Sequence, residues 1–456
     1  FTPRGKVLGG SSSINGLVHV RGQREDFDAW AELGNTGWSY AGVLPYFRKT
    51  EDQQRGPSEY HGSGGPLKVG DLPDRHELCD AFIAAAGELG IARNDDFNGA
   101  RQEGAGYYQA SARNGRRSSS AVAYLRPAQK RANLHIQTEA LATRIRFEGR
   151  RATGVDYLRG GQAHAAQAGR EVLLCGGSFN SPQLLQLSGV GPAALLQSHG
   201  VAVVLDAPGV GEGLQDHFYV RTVWKCTRPI TFNDALGSWP RRIATGLRYL
   251  IWRRGPLTVS AGYAGAFVRT RAALTRPDVQ LYFINFSTDK MGTGLHPFPA
   301  FTVSMSPLRP QARGFVRIRS ADARVAPAIQ YNFLSNDDDR RTVLDALKML
   351  RNLMHKSAMR SYVLSEHAPG IGAQSDADWL AYAREVGGTV YHPSSSCRMG
   401  HDRLAVVDEQ LRVRGAGSLR VVDASIMPNV VSGNSNAAAI MIGEKGADMI
   451  LAQARA

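Results

Sequence analysis

The sequence predicts an α/β protein made of two closely packed domains, and three observations support this fold class. First, a chain of 456 residues exceeds what one hydrophobic core usually organises. Second, a strand-like run at 171–175 leads through two glycines into a helix that opens at Ser181 and closes before Gly189. Third, the same order of strand and helix returns at 419–424 and 435–452, so one kind of unit flanks the middle of the chain.

The remaining elements follow from hydrophobic periodicity and turn residues. A strand meander is predicted over 144–175, with a turn at 148–150. The helix at 376–385 starts with capping-box spacing, because Asp378 lies three residues after Ser375. Together with that helix, the predicted helices lie at 26–33, 40–49, 76–89 and 337–354.

Residues 220–386 form a middle segment of different composition, because they are rich in aromatic side chains. Such side chains bury large areas in sheet cores, and they also line ligand sites. The segment is therefore either the core of a sheet or a wall of a substrate site, and both alternatives stay open. The aromatic residues are Trp224, Trp239, Trp252, Tyr263, Tyr282, Phe283, Phe286, Phe298 and Phe301.

The formal net charge of the chain is +14. Arginine pairs at 116–117, 241–242, 253–254 and 340–341 are scattered along the chain rather than gathered in a tail. Neither a basic stripe interleaved with aromatic residues nor a known nucleic-acid module occurs, so we expect no nucleic-acid partner. A basic face also suits an anionic membrane surface, and a peripheral membrane contact stays open.

The apolar runs and the cysteines indicate where in the cell the protein is expected to lie. The sequence has no uninterrupted apolar stretch of about 18 residues, so no transmembrane helix is expected. Its four cysteines are widely spaced, without a Cys-x-x-Cys pair or a metal-like cluster. Reduced thiols and no metal are therefore expected. These features favour a cytoplasmic protein, with a peripheral position at the inner membrane left open.

Two long glycine-rich motifs carry the strongest functional signal. Residues 177–191 read Gly-Ser-Phe-Asn-Ser-Pro-Gln-Leu-Leu-Gln-Leu-Ser-Gly-Val-Gly, and residues 3–16 read Pro-Arg-Gly-Lys-Val-Leu-Gly-Gly-Ser-Ser-Ser-Ile-Asn-Gly. A strand, a glycine-rich turn and a helix N-terminus present backbone N–H groups to an anion or an extended cofactor. The two motifs, in this order, resemble the signatures of the glucose–methanol–choline (GMC) family of FAD oxidoreductases.

This resemblance implies a Rossmann-like FAD-binding domain and a substrate-binding domain built on an antiparallel sheet. Residues 1–217 are expected to form the first part of the FAD-binding domain and residues 218–385 the substrate-binding domain. Residues 386–456 are expected to return to the FAD-binding domain and to carry the catalytic pair. Family members also have a Gly-x-Gly-x-x-Gly unit before the first signature. The glycines at 209–213 follow a proline and do not replace that unit. We therefore expect an N-terminally truncated sequence.

A third motif supplies the candidate catalytic residues. Residues 389–400 resemble the family motif in which a histidine follows Tyr and precedes Pro, and this histidine is His392. Alcohol oxidation needs a base for the hydroxyl proton. Histidine suits this role, because its ordinary pKa is nearest to neutrality among side chains. It also needs a hydrogen-bond donor for the alkoxide-like oxygen. The resemblance implies His392 as the base and Asn434 as the donor. His217 and His61 are interpreted as structural loop histidines.

The resemblance also implies how FAD is held. Ile14 stands where certain family oxidases have a histidine bonded to the flavin, so noncovalent FAD is expected. A helix N-terminus at 435–436 is expected to stabilise the negative charge of the reduced flavin. The expected FAD-binding residues are Val7, Gly10, Ser11, Asn15, Gly16, Leu17, Val18, Ala142, Asp423, Ala424 and Asn436.

The activity implied by the resemblance is FAD-dependent oxidation of a primary alcohol, choline-like or aliphatic, to the aldehyde. A dehydrogenase is favoured over an oxidase, with a quinone or another electron acceptor, and oxygen stays open as the acceptor. Two alternatives remain. One is a family lyase in which the flavin is only structural. The other is an inactive fragment that binds FAD poorly, because the unit that holds the FAD pyrophosphate is expected to be missing.

Overall fold

The computed structural model describes residues 2–289 and 293–455. Short helices and strands alternate along these two ranges. The strands are β1 (Glu51–Gln53), β2 (Leu67–Val69), β3 (Gly104–Tyr107), β4 (Ala112–Arg113), β5 (Arg116–Arg117), β6 (Ala140–Glu148), β7 (Arg151–Arg159), β8 (Gln162–Gln167), β9 (Val172–Leu174), β10 (Val190–Gly191), β11 (Leu205–Asp206), β12 (Glu212–Leu214), β13 (Phe218–Cys226), β14 (Ala264–Val268), β15 (Val279–Ile284), β16 (Ala300–Pro307), β17 (Gly314–Arg317), β18 (Ala328–Gln330), β19 (Val363–Ala368), β20 (Gly388–Thr389) and β21 (Leu419–Val421).

The α-helices are α1 (Arg24–Glu32), α2 (Tyr40–Thr50), α3 (Glu77–Glu88), α4 (Arg126–Ala128), α5 (Gly177–Leu187), α6 (Ala193–Ser198), α7 (Phe232–Ala235), α8 (Trp239–Trp252), α9 (Asp337–Met354), α10 (Ser357–Arg360), α11 (Asp376–Val386) and α12 (Asn436–Arg455). The helices predicted from periodicity at α1, α2, α3, α9 and α11 all lie within two residues of these bounds. Side-chain caps explain this agreement, because Ser39, Asn336 and Ser375 each accept a hydrogen bond from a backbone N–H of the first turn.

A seven-stranded sheet organises the middle of the chain, in the order β19-β13-β16-β15-β14-β3 with β20 beside β13. All of its pairings are antiparallel. The sequence-based expectation of an antiparallel sheet is therefore confirmed. The structure places some aromatic residues of this segment in the core of the sheet and others on the wall of a cavity. Phe283 and Phe301 stack within the core with ring centroids 5.2 Å apart, while Tyr282 and Phe286 line a cavity.

One hydrophobic core lies between this sheet and helices α3, α9, α10 and α11. A second core joins α1, α2 and α12 to β9 and β21. Strands β9 and β21 run parallel, with Val172 opposite Leu419. Because the carboxyl ends of parallel strands meet at one edge, the turn at Gly177 lies beside Asp423, and the Gly177 N–H donates to Asp423 Oδ2 at 2.9 Å. The loops between the two cores carry the candidate site.

The start of α5 corrects one prediction. The helix begins at Gly177, four residues before the predicted start at Ser181, and Pro182 lies inside it. A proline in a helix deprives the carbonyl four residues earlier of its partner. Here that carbonyl belongs to Ser178, and it accepts a hydrogen bond of 2.7 Å from Ser396 Oγ instead. A contact 218 residues away along the chain thus permits a helix that local rules end.

Helix α8 was not predicted. Pro240 and Gly246 interrupt its sequence, and both residues usually weaken helices. Pro240 stands in the first turn, however, where its missing N–H has no intrahelical partner to lose. Thr245 is the one buried residue of α8. This helix therefore lies on the surface of the molecule.

Candidate active site

His392 lies in the loop after β20 and its side chain is buried. Its backbone N–H donates to Asp216 Oδ1 at 2.9 Å, and the Thr389 hydroxyl donates to the other carboxylate oxygen. Asp216 thus holds both sides of the loop that carries His392. Burial raises the pKa of Asp216 to about 7, although the hydrogen bonds from Thr389 and His392 act in the opposite direction.

The side chain of Asn434 meets the imidazole of His392. Asn434 Nδ2 lies 3.1 Å from His392 Nε2. The Asn434 carbonyl oxygen accepts a hydrogen bond of 3.2 Å from Gln280 Nε2, which orients the amide. Because the amide nitrogen can only donate, His392 Nε2 is the acceptor and carries a lone pair at this position.

A second histidine, His217, was interpreted as a satisfied loop residue, and it is buried with partners at both ring nitrogens. His217 Nδ1 lies 3.1 Å from His392 Nδ1, and His217 Nε2 lies 3.0 Å from the Leu308 carbonyl oxygen. A carbonyl only accepts, so His217 carries its proton on Nε2 and accepts through Nδ1. His392 must then donate from Nδ1. The contact with His217 therefore keeps His392 Nε2 free of a proton.

Burial keeps both rings neutral at neutral pH. It lowers the pKa of His217 to about 4. It also lowers the pKa of His392 well below its ordinary value, and the electrostatic interactions of His392 with His217 and Arg4 act in the same direction. His61, in contrast, lies in a separate buried cluster, 2.9 Å from both Glu51 and Asp96, and stays a structural histidine.

A cavity of about 1000 Å³ opens beside this group, and His392 and Asn434 both line it. The structure brings to the same cavity most of the residues that were expected to bind FAD: Gly10, Ser11, Asn15, Gly16, Leu17, Val18, Asp423, Ala424 and Asn436. Val7 and Ala142 do not line it. Ala142 lies on β6, where it pairs with Tyr157 of β7, and Val7 is 54% exposed.

Hydrogen bonds hold the cavity wall at two places, around Asn15 and around Asp423. Asn15 Oδ1 accepts from Arg117 Nη1 at 2.5 Å and from the Leu17 N–H at 3.1 Å. Asp423 Oδ2 accepts from the Ser181 hydroxyl at 2.5 Å, in addition to the Gly177 N–H. Sequence reasoning missed Arg117, because it lies 102 residues from Asn15 with no motif of its own.

The shape of this wall fits an extended cofactor. Gly10 and Gly177 line the cavity with positive φ angles of 55° and 76°, and a Cβ added to either would meet no atom within 4 Å. Backbone without side chains therefore borders open space there, as an approach of a ligand to the main chain requires. Helix α12 begins at Asn436 on the same cavity, so its free N–H groups and positive end face a negative ligand group.

The described residues include neither a metal-binding cluster nor a membrane-spanning helix. No group of three or more His, Cys, Asp or Glu side chains there could hold a metal ion. No helix within 2–289 and 293–455 is both long and apolar enough to cross a membrane.

Comparison with known proteins gives one consistent result. Family models described as GMC oxidoreductase match residues 1–219 and 310–443. The chain is 44% identical over 452 residues to an oxygen-dependent choline dehydrogenase of Yersinia pseudotuberculosis serotype IB, covering 98% of this chain and 80% of that protein. It is 42% identical over 455 residues to the mitochondrial choline dehydrogenase of Homo sapiens, covering 99% of this chain and 76% of that protein.

Solved structures have the same fold. Pyridoxine 4-oxidase from Mesorbium loti superposes with a TM-score of 0.88 at 28% identity, covering 99% of this chain and 85% of that one. A formate oxidase of Aspergillus oryzae RIB40, studied for FAD modification, superposes with a TM-score of 0.91 at 27% identity, covering 99% and 84%.

Proposed function

Since the chain belongs to the GMC oxidoreductase family, we propose that it is an FAD-dependent oxidoreductase that converts a primary alcohol to the aldehyde. The observation that carries this proposal is the pairing of His392 Nε2 with Asn434 Nδ2, 3.1 Å apart on the wall of the large cavity. An acceptor and a donor side by side match the two ends of a hydroxyl group, which donates its hydrogen and accepts at its oxygen.

The residues of this chain have distinct roles in the proposed reaction. His392 Nε2 removes the hydroxyl proton, while Asn434 Nδ2 donates a hydrogen bond to the developing alkoxide. Asp216 and His217 hold the loop and the ring of His392 in place. FAD, when bound, would supply the acceptor for the hydride of the alcohol carbon. The positive end of α12 stabilises negative charge beside Asn436.

The cofactor is proposed to be held by Gly10, Ser11, Asn15 to Val18, Asp423, Ala424 and Asn436, which line the cavity. No covalent bond is proposed, because Ile14 has no nucleophilic atom. The division into an FAD-binding part at 1–217 and 386–456 and a substrate-binding part at 218–385 belongs to the same proposal. The second hydrophobic core, formed by residues from 27–210 and 397–442, supports this division. Helix α3 and strand β3 depart from it, because they pack in the core of the seven-stranded sheet.

The electron acceptor of the second half-reaction is proposed to be a quinone or another small acceptor, so that the protein acts as a dehydrogenase. A peripheral membrane contact belongs to this proposal as well. The alternative function is that of a family lyase with a structural flavin. A lyase catalyses no net oxidation, so its flavin should stay in the same redox state when substrate is added.

Anaerobic titration of the holoenzyme with a primary alcohol tests the proposal. We expect the flavin absorbance to bleach with one equivalent of aldehyde formed per flavin. Bound flavin that stays oxidised with every primary alcohol would reject the oxidoreductase assignment and favour the lyase. Failure of the protein to bind FAD would also reject the oxidoreductase assignment.

A further inference from the structure

A row of side chains crosses the sheet on one wall of the cavity. Arg221 on β13 pairs with Ser304 on β16, and Ser304 pairs with Tyr282 on β15. Directly paired residues point to the same face, and neighbouring strands lie about 4.8 Å apart, so the row is about 10 Å long. All three residues line the cavity. The Tyr282 hydroxyl donates to Gln280, whose amide donates to Asn434, so the row ends at the catalytic pair.

In this row, Ser304 lacks a hydrogen-bond partner and Arg221 lacks a carboxylate within ion-pair distance, among the described residues. Ser304 is 2% exposed, and its Oγ has no hydrogen-bond partner among the described residues. Burying a hydroxyl without a partner is unfavourable, so this atom indicates a ligand group. Arg221 donates to the backbone carbonyl of Asp289 at 2.9 Å and lies 5.9 Å from the ring centroid of Tyr219. It forms no ion pair within 4 Å of a carboxylate in the described part of the chain, although after His296 it contributes to the lowered pKa of Asp289. The Asp289 carboxylate is itself held by His296 at 2.9 Å.

The carboxylates that line the cavity lie away from this row. Asp423 is engaged by Gly177 and Ser181 at the turn after β9. Glu444 lies on α12 and forms an ion pair of 3.0 Å with Lys49. The described wall beside the catalytic pair is therefore positive, through Arg221.

We propose that the substrate is a primary alcohol with an anionic group, a carboxylate or a sulfonate, on the same short carbon chain. This inference rests on the proposed function and names its substrate class. Arg221 pairs with the anion and Ser304 Oγ donates to it, while the hydroxyl lies between His392 and Asn434. Oxidation removes a hydride to FAD and the hydroxyl proton to His392, and the anionic group is unchanged in the aldehyde. A trimethylammonium group at the same place would be repelled by Arg221.

Four alcohols of the form HOCH₂CH₂–X test this inference on the holoenzyme. They are 3-hydroxypropanoate, 2-hydroxyethanesulfonate, choline and 3,3-dimethylbutan-1-ol, the neutral isostere of choline. We expect the second-order rate of flavin reduction to be at least about tenfold higher for one anionic alcohol than for the neutral one, and lowest for choline. The faster of the two anions identifies carboxylate or sulfonate. Choline reacting as fast as its neutral isostere would overturn the inference but leave the proposed function intact.

Variants of Arg221 and a binding measurement distinguish the anion site from the proposed oxidoreductase function. Arg221→Met should weaken calorimetric binding of propanoate or ethanesulfonate about tenfold, and Arg221→Glu should make choline the better substrate. Arg159→Met removes an exposed arginine from β7 and should change neither result. If no alcohol reduces the flavin, the proposed function fails, while calorimetry still reports on the anion site. Equal anion binding by wild type and Arg221→Met would overturn that site.

An independent observation concerns helix α8, whose outer face is apolar. Trp239, Ile243, Leu247 and Leu250 are 73%, 53%, 50% and 63% exposed. Their spacing places them within an arc of about 80° on a helix that turns about 100° per residue. Thr245, the buried residue of α8, lies on the opposite side. The apolar face therefore points away from the body of the protein.

The composition around this face indicates what covers it. Ile251 borders this face and is 63% exposed, while Trp252, which is 65% exposed, lies on the other side of the helix at its C-terminal end. The helix contains no acidic residue, and arginines occur at 241, 242, 248, 253 and 254. Interfacial membrane helices combine an outward apolar face, tryptophan and flanking basic residues in this way. We propose that α8 lies in the headgroup region of an anionic membrane.

Vesicle sedimentation tests this surface. The holoenzyme should bind vesicles with 30% phosphatidylglycerol at least about tenfold more tightly than pure phosphatidylcholine vesicles. Trp239→Ser with Leu250→Ser should abolish binding, and Arg241→Gln with Arg242→Gln should weaken it several-fold. Ile371→Ser changes an apolar residue that is 80% exposed elsewhere and should have no effect. Absence of vesicle binding, or a dimer in sedimentation velocity that the α8 variant dissociates, would overturn the proposal.

Discussion

His217 and His392 face each other through their Nδ1 atoms at 3.1 Å, and this contact orders the protons of both rings. The Leu308 carbonyl fixes the proton of His217 on Nε2. His217 then accepts from His392, whose Nε2 stays unprotonated beside Asn434. A base must present a lone pair to its substrate, so a backbone carbonyl two contacts away selects the form of His392 that the proposed reaction needs.

The first prediction concerns this ordering. His217→Leu removes the acceptor and the nearby ring that lowers the pKa of His392. We expect flavin reduction to slow by about 10- to 100-fold, within the lower range for general-base defects, and its acid limb to move to higher pH. His217→Gln offers a carbonyl oxygen to His392 Nδ1 and should recover part of the rate. A pH profile that is the same in all three proteins would show that His217 only fills space.

The second prediction concerns Asn434. Asn434→Ala removes the donor to the alkoxide but leaves helix α12, so reduction by alcohol should fall by roughly 10²-fold, the scale of one lost oxyanion donor. The flavin midpoint potential should move little, because the helix end remains. Asn434→His restores a donor and should recover part of the rate. A wild-type rate in Asn434→Ala would reduce the residue to a cap of α12.

The third prediction concerns Asp216 and the pH dependence of stability. The pKa of this carboxyl is raised to about 7 in the folded protein from an ordinary 3.8, so the folded state binds its proton more tightly than the unfolded state. The contribution of Asp216 to the free energy of unfolding is present below pH 4 and is lost as the pH rises to about 7. The loss is up to about 4 kcal/mol. Denaturant unfolding of wild type and Asp216→Asn across this range measures it, and equal slopes would contradict the assignment.

The fourth prediction concerns flavin attachment. Ile14 lines the cavity with no atom that can bond to the ring. Acid precipitation of the holoenzyme should therefore release yellow FAD into the supernatant. Flavin that remains in the pellet would demonstrate a covalent bond at another residue.

Local signals explain which parts of the molecule could be predicted from the sequence. Helices such as α9 combine a cap at Asn336 with a clear apolar period, so both their existence and their ends were evident. His392 and Asn434 lie in contiguous motifs, and the structure places them in contact. The predicted start of α5 was wrong because Pro182 leaves the Ser178 carbonyl without a partner in the helix. The Ser396 hydroxyl, far along the chain, donates a hydrogen bond to that carbonyl.

The rest of the site has no local signal. Gln280 and Asp216 act on Asn434 and His392 through tertiary contacts, 154 and 176 residues apart in the chain. No spacing rule connects positions that meet only when the sheet forms. The same reason explains His217, whose ring resembles any loop histidine until the fold brings it to His392. Arg221 and Ser304 become neighbours only through the register of β13 and β16.

His392 is proposed to be the base of the reaction, and anaerobic stopped-flow reduction of the flavin tests this role. We expect His392→Ala to bind FAD as wild type does, to bind a non-reacting substrate analogue with a similar Kd, and to reduce the flavin about 10²- to 10⁴-fold more slowly at neutral pH. A wild-type rate of flavin reduction in His392→Ala, with FAD bound, would contradict the account.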